Sequence, residues 1–173
     1  RKGDIMGEFL ALKQIVEEDS QDGKFLTFEL GKESYGIEIK YVTEIIGIQP
    51  ITEVPEMPEY IKGVINLRGK IIPVMDVRLR FGKPAVEYNE RTCVIVIDIH
   101  DISLGLIVDR VSEVLLISEE NIAPPPEFAR VSGSGRFVKG IGKVDGEIKI
   151  LLDCEMFLKE DDIEALENLA TND

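Results

Sequence analysis

The 173-residue sequence contains no tryptophan, two cysteines and a single histidine, and these shortages exclude several kinds of chemistry. His100 has no second histidine with which to bind a metal, and no serine or cysteine lies in a nucleophile motif that would need it as a base. The glycine spacings of a P-loop and of a dinucleotide fingerprint are also absent. We therefore expect no catalysis, no cofactor and no metal.

Basic residues are also in short supply, 20 against 33 acidic ones, which gives a net charge of −13. Nucleic-acid-binding proteins normally carry a basic surface, and anionic lipid likewise attracts basic segments. The charge therefore argues against nucleic acid and direct membrane insertion. No apolar run approaches the roughly 20 residues that cross a bilayer. Cys93 and Cys154 form no paired motif, which suits a reducing, cytoplasmic compartment.

What the sequence does contain is isoleucine, valine and leucine in short runs, and the β-branched residues among them favour strands. Residues 24–30 alternate between two faces, and residues 92–99, TCVIVIDI, contain the apolar run 93–97 that is typical of a buried strand. We predict one mainly β domain over residues 24–158. It is preceded by a leader, residues 1–23, that is helical or partly disordered. An acidic amphipathic helix or tail, residues 159–173, follows it.

Two segments of the second half repeat segments of the first half. Residues 35–46, YGIEIKYVTEII, align without gaps on residues 104–115, LGLIVDRVSEVL. Residues 62–81, KGVINLRGKIIPVMDVRLRF, align on residues 139–158, KGIGKVDGEIKILLDCEMFL. A unit of about sixty residues buries too little surface to be secure alone, so the two copies should share a core.

The repeat predicts two β subdomains, at about residues 24–84 and 85–158, with exchange of their terminal strands left open. The strand count fits two five-stranded antiparallel barrels or curled sheets with short helices. Asp76 and Asp153 recur at matching positions, each after an apolar strand and before a helix-compatible segment. We interpret both as helix N-caps rather than as catalytic carboxylates.

The turn Arg68–Gly69–Lys70 joins two apolar runs and is positively charged in an acidic protein. Its copy reads Asp145–Gly146–Glu147, so the strands and the turn glycine are shared while the charge is reversed. Because the fold does not require the charge, Arg68 is the best single candidate for a partner contact. Five basic residues and one acid between positions 68 and 83 also predict a local positive patch.

Several of these segments together resemble a known family. The most specific is GVINLRGKIIPVMDVR, residues 63–78, and RTCVIVIDI, GLIVDRVSEVL and PPEFA follow in the family's order. They resemble CheW, the family of bacterial chemotaxis coupling proteins, over nearly all of residues 24–158. The leader and Ile46 depart from the usual pattern. The resemblance implies two SH3-like five-stranded barrels packed on a shared hydrophobic core.

The resemblance also implies a non-catalytic scaffold, a monomer alone and an array component in complex. CheW-like proteins bind the cytoplasmic tip of methyl-accepting chemoreceptors and the regulatory domain of the histidine kinase CheA, at the membrane-associated receptor array. Carried over residue by residue, receptor binding uses the groove between the barrels. The matching positions are Val42, Glu44, Ile45, Asn66, Arg68, Gly105, Val111 and Val114. Arg68 would pair with an acidic or carbonyl group of the receptor, oriented by Glu44.

The remaining carried-over positions concern the kinase and the backbone. Glu127 and Phe128 are the candidate kinase contacts, although Phe128 could instead cover the core. Gly63, Gly69 and Gly140 are interpreted as glycines of tight turns. Two other functions stay open at this stage: an adaptor of the same fold in another two-component pathway, and a small-ligand barrel or enzyme that uses the groove as a pocket.

Overall fold

The computed structural model describes residues 22–126 and 133–158, together with Gly7. The predicted C-terminal helix or tail, most of the leader and the candidate kinase contacts Glu127 and Phe128 lie outside the described residues. Within them the chain forms eleven strands: β1 (Lys24–Leu30), β2 (Glu33–Glu38), β3 (Val42–Gly47), β4 (Ile61–Leu67), β5 (Lys70–Asp76), β6 (Cys93–Ile99), β7 (Ile102–Val108), β8 (Arg110–Leu116), β9 (Ile122–Ala123), β10 (Val138–Val144) and β11 (Glu147–Leu152). One short helix, α1 (Val77–Arg80), follows β5. Four 3-10 segments complete the described elements: Ile39–Tyr41, Glu119–Asn121, Gly133–Phe137 and Cys154–Leu158.

The strands form two sheets. The six-stranded sheet has the order β8-β1-β2-β11-β10-β9, and the five-stranded sheet has the order β3-β6-β7-β5-β4. Most neighbours are antiparallel, but β5 pairs with β7 and β11 pairs with β2 in parallel. The prediction of a mainly β fold with two five-stranded antiparallel units is confirmed as a mainly β fold with two sheets of five and six strands, each of which contains one parallel pair. The sixth strand, β9, has only two residues.

The two halves of the chain exchange strands between these sheets. Strands β1 and β2, from the first half, lie in the same sheet as β8, β9, β10 and β11. Strands β6 and β7, from the second half, lie in the same sheet as β3, β4 and β5. A boundary near residue 84 therefore does not separate the sheets. The physical reason lies in the two crossovers: the chain changes sheet at Ile39–Tyr41, between β2 and β3, and at Asp109, between β7 and β8.

The apolar residues of the five-stranded sheet are buried on both of its faces. Along β6, Cys93, Ile95 and Ile97 join a cluster that also contains Phe28 of the six-stranded sheet, so the two sheets share one core. The alternating residues Val94 and Val96 join a smaller cluster on the other face. Because successive strand residues point to opposite faces, burial on both faces explains why this run is apolar throughout.

Both repeated aspartates accept hydrogen bonds from the backbone that follows them. The Asp76 carboxylate accepts from the Leu79 N–H at 3.2 Å, at the start of α1. The Asp153 carboxylate accepts from the Glu155 N–H at 3.0 Å, at the start of a 3-10 segment. Asp76 also accepts from the Tyr88 hydroxyl at 2.7 Å, which anchors the segment that connects the two repeats. Both carboxylates act as caps, as the sequence predicts.

Two of the three candidate turn glycines lie inside strands, which corrects that interpretation. Gly63 has a φ of +143°, and a Cβ there would lie 2.1 Å from the carbonyl oxygen of Thr52, which forms an antiparallel bridge with Val64 of β4. Gly140 lies in β10 beside its antiparallel neighbour β9, where a Cβ would lie 2.7 Å from the Ile122 side chain. These glycines permit close approach of backbone. Gly69, with a φ of +87°, is the turn residue.

Candidate partner-binding site

The β4–β5 turn presents Arg68 to solvent on a backbone that few side chains adopt. Arg68 and Gly69 both have positive φ, 53° and 87°, as a tight two-residue hairpin requires. The Asn66 side-chain oxygen accepts from the Gly69 N–H at 2.8 Å and so fixes the turn. The Arg68 side chain is 70% exposed. A long cationic side chain therefore stands on a rigid turn.

Glu44 on β3 holds Arg68 through an ion pair between its carboxylate and the Arg68 Nη2. The Glu44 side chain is only 17% exposed, so the acid lies below the surface and the guanidinium above it. This hydrogen bond and the charge of Glu44 raise the pKa of Arg68, which stays protonated. Strands β3 and β4 are the two outer strands of the five-stranded sheet, and the ion pair links β3 to the end of β4. The orientation of Arg68 by Glu44 is thus present in the structure.

Several of the other candidate groove residues are buried. Val42 is 1% exposed and Ile45 is 2% exposed, and both belong to the shared core together with Val111. Gly105 is buried in β7, where a Cβ would lie 2.8 Å from two valine side chains. Buried in this way, these residues shape the core beneath the surface, and their part in partner binding stays a prediction. Val114 on β8 is half-buried and packs against the same core.

The predicted positive patch between residues 68 and 83 is not one open surface. Its members after Arg68 are dispersed over different parts of the fold and have partners of their own. Lys70 donates to Ser103, Arg78 pairs with Asp109, Arg80 stacks over Tyr60 and Phe137, and Lys83 pairs with Glu33. Only the turn residues Arg68 and Lys70 present charge at the hairpin tip.

Sequence reasoning did not find the pairing of Arg78 with Asp109. The Arg78 Nε lies 2.8 Å from Asp109 Oδ1, and its Nη2 lies 2.6 Å from Oδ2, so the contact is bidentate. The Gly31 N–H donates to the same carboxylate at 2.7 Å. Burial alone would raise the pKa of Asp109, but the hydrogen bonds from Arg78 and Gly31 hold it below its ordinary value. The repeat contained a signal for this pair. It aligns Asp109 with Lys40 and Arg78 with Glu155, so both members of the pair have the opposite charge in the other copy.

The comparisons with known proteins agree with this architecture. The family model described as the CheW-like domain matches residues 24–162. The chain belongs to the CheW-like family. Chemotaxis protein CheW of Klebsiella aerogenes is 41% identical over 147 residues, which cover 85% of this chain and 88% of that protein. Chemotaxis protein CheW of Thermotoga maritima is 33% identical over 136 residues, 78% of this chain and 87% of that protein.

A solved CheW structure has the same fold. The crystal structure of the scaffolding protein TtCheW from Thermoanaerobacter tengcongensis superposes with a TM-score of 0.74 at 38% identity, and the match covers 81% of this chain and 94% of that one. The resemblance read from the sequence is therefore confirmed, as is the role of a non-catalytic chemotaxis adaptor that it implies. Among the described residues, no helix is long and apolar enough to span a membrane.

Proposed function

We propose that this CheW-like chain couples methyl-accepting chemoreceptors to the histidine kinase CheA in the cytoplasm, and that it reaches the receptor array through these partners. The receptor tip, a helical hairpin, lies against a surface that we call the turn face. To the turn face we assign Glu44, Asn66 and Arg68 of the five-stranded sheet and Val114 of the six-stranded sheet. The observation that carries this assignment is the exposed Arg68 on its rigid turn, whose charge the other copy reverses.

The chemistry of the turn face suits a mixed polar and apolar helix. A guanidinium has five N–H donors, and the Nη2 of Arg68 bonds to Glu44. The remaining donors can engage a carboxylate or a carbonyl oxygen of the receptor without breaking that ion pair. Val114 offers apolar surface from the other sheet. Binding therefore uses an arginine that is oriented before the receptor arrives, which lowers the entropy lost on association.

The kinase contact is a separate part of the proposal. Glu127 and Phe128 stay the candidate residues, and they lie outside the described residues. The pseudo-symmetric ends of the two sheets offer two similar surfaces for the regulatory domain of the kinase. If Phe128 contacts the kinase, Phe128→Ala reduces retention of the kinase regulatory domain while retention of the receptor fragment is unchanged. Loss of thermal stability with unchanged binding would show that Phe128 covers the core instead.

Charge reversal at the two equivalent turns tests the receptor contact. Arg68→Glu should lower the retention of an immobilised receptor cytoplasmic fragment by at least tenfold, because an acid then faces the receptor beside Glu44. Retention of the kinase regulatory domain and the thermal unfolding midpoint should not change. The matched control is Asp145→Lys, which reverses the charge on the same type of turn. It should retain both partners.

A double variant distinguishes direct contact of Arg68 with the receptor from stabilisation of the turn by the Arg68–Glu44 ion pair. In Glu44→Arg with Arg68→Glu the ion pair can re-form with its members exchanged. Retention should stay low if Arg68 touches the receptor, and should recover if the pair only stabilises the turn. Unchanged receptor retention by Arg68→Glu would overturn the role of Arg68. Wild type that retains neither receptor nor kinase would overturn the proposed function.

A further inference from the structure

The two sheets of the fold meet through an apolar core, whose burial from water by itself favours no particular angle between them. The hydrophobic effect is non-directional, since it depends on the area removed from water rather than on the angle of contact. A bidentate arginine–carboxylate contact has a fixed planar geometry. The Arg78–Asp109 pair is such a contact, and it is partly buried, with side chains 14% and 26% exposed.

The position of this pair in the chain connects elements of both sheets. Arg78 lies in α1, directly after β5 of the five-stranded sheet. Asp109 is the single residue between β7 and β8, at the point where the chain leaves the five-stranded sheet for the six-stranded one. Gly31, in the turn between β1 and β2 of the six-stranded sheet, donates its N–H to the same carboxylate. One carboxylate thus holds the end of β5, the crossover and the β1–β2 turn.

The turn face is divided across the same boundary. Arg68 belongs to the hairpin of β4 and β5, and β5 leads into Arg78. Val114 belongs to β8, which begins directly after Asp109. A rotation of one sheet against the other would therefore separate the polar part of the turn face from its apolar part, without breaking either sheet.

We propose that Arg78 and Asp109 form a positioning pair that sets the relative orientation of the two sheets and thereby assembles the turn face for the receptor. The last part of this inference depends on the proposed function. The equivalent positions at the other crossover have different partners: Lys40 pairs with Glu38, and Glu155 accepts from Tyr41. The bidentate contact between Arg78 and Asp109 is therefore specific to the Asp109 crossover, because the other copy has different residues at both positions.

A distance measurement between the sheets tests the positioning role directly. Spin labels attached at Asp98→Cys on β6 and Lys143→Cys on β10 lie on exposed positions of the five-stranded and six-stranded sheets. The native Cys93 and Cys154 are buried and should not take the label. Asp109→Asn removes the charge at constant shape and should broaden the distance distribution. It should also lower the retention of the receptor fragment by about tenfold, with kinase retention changed by less than twofold.

Two further variants complete the experiment. Arg78→Lys keeps the charge but not the two parallel hydrogen bonds, so it should give an intermediate broadening and remain folded even if Asp109→Asn does not. The matched control is Arg110→Gln, which removes an ion pair with Glu29 between neighbouring strands of one sheet. It should leave the distances and the receptor retention as in wild type.

The outcomes separate the two proposals. Distances that stay as narrow as in wild type in Asp109→Asn and Arg78→Lys would overturn the positioning pair. Broadened distances with unchanged receptor retention would also overturn it, because the turn face would not depend on the orientation. If wild type itself does not retain the receptor, the proposed function fails, and the label distances still decide whether the pair sets the orientation.

Discussion

The β4–β5 and β10–β11 hairpins have the same backbone and opposite charge. Arg68 and Gly69 have φ values of 53° and 87°, and Asp145 and Gly146 have φ values of 50° and 78°. A two-residue turn between twisted antiparallel strands requires this conformation, whichever side chains stand on it. The backbone of the turn therefore follows from the fold, whereas the charge was free to differ. Differences between the two copies are the places where function is expected.

The largest difference in stability between the copies should appear when the matching glycines Gly63 and Gly140 are replaced. Gly63→Ala places a Cβ 2.1 Å from the Thr52 backbone oxygen at a φ of +143°, so the bridged segment at Thr52 must move. We expect a loss of about 4 kcal/mol or more in the free energy of unfolding. In Gly140→Ala the nearest atom, at 2.7 Å, is a side-chain methyl of Ile122, and the nearest backbone atom, the Ala123 oxygen, lies farther away at 3.2 Å. Urea unfolding of both variants should show the smaller loss at Gly140, and equal losses would contradict the backbone argument.

The next largest effect should come from exchanging Ile72 and Lys149, which occupy matching positions in β5 and β11. Ile72 is buried among apolar side chains of the five-stranded sheet. Ile72→Lys should cost about 3 kcal/mol of unfolding free energy, because nothing apolar there can solvate an ammonium group. Lys149 instead bonds to Ser34 and Glu147. Lys149→Ile should change stability by less than about 1 kcal/mol. Similar losses of unfolding free energy for the two variants in chemical denaturation would show that the two positions have equivalent surroundings.

A smaller difference is expected between the two capping aspartates. Asp76 accepts from both Leu79 and Tyr88, so Asp76→Ala removes a cap and leaves a half-buried hydroxyl without its acceptor. We expect a loss of about 2 kcal/mol, against about 1 kcal/mol for Asp153→Ala. Differential scanning calorimetry measures both. A larger loss at Asp153 would contradict this ranking.

The smallest effect is the pH dependence of stability at the Asp109 crossover, where the other copy has Lys40 in place of the carboxylate. The pKa of Asp109 is lower in the folded protein than in the unfolded chain, so its contribution to stability is complete above the ordinary carboxyl pKa, about 4. That contribution is lost as the pH falls through the folded value. The stability gap between wild type and Asp109→Asn should therefore shrink in acid. Urea unfolding of the two proteins between pH 6 and 3 measures this gap. A constant gap for Asp109→Asn would contradict the carboxylate's role.

Local patterns explain how much of the fold could be read from the sequence. The alternation in residues 24–30 and the apolar run of β6 predict strands because side-chain direction has a period of two. The two aspartates are recognisable as caps because a cap needs only the backbone of the next few residues. The exchange of strands could not be read in this way, because the alternation of a strand does not indicate which other strands it pairs with.

The site was only partly predictable for a related reason. Arg68 stands out because its charge breaks the repeat, and Glu44 follows from the resemblance. The burial of Val42 and Ile45 could not be read from the sequence, because an apolar residue in a strand buried on both faces looks like one that faces a groove. Arg78 and Asp109 lie 31 positions apart. Only the path of the chain between the sheets brings them together.

The sequence by itself determined the strands, the turns, the caps, the repeat and the family, because these depend on short-range periodicity and on residue types at fixed spacing. The tertiary structure alone decided which strands share a sheet, which apolar residues are buried and which charges pair. Those outcomes depend on how two copies of one unit fold around a common core. The Arg78–Asp109 contact and the turn face are products of that packing, since each draws its residues from distant parts of the chain.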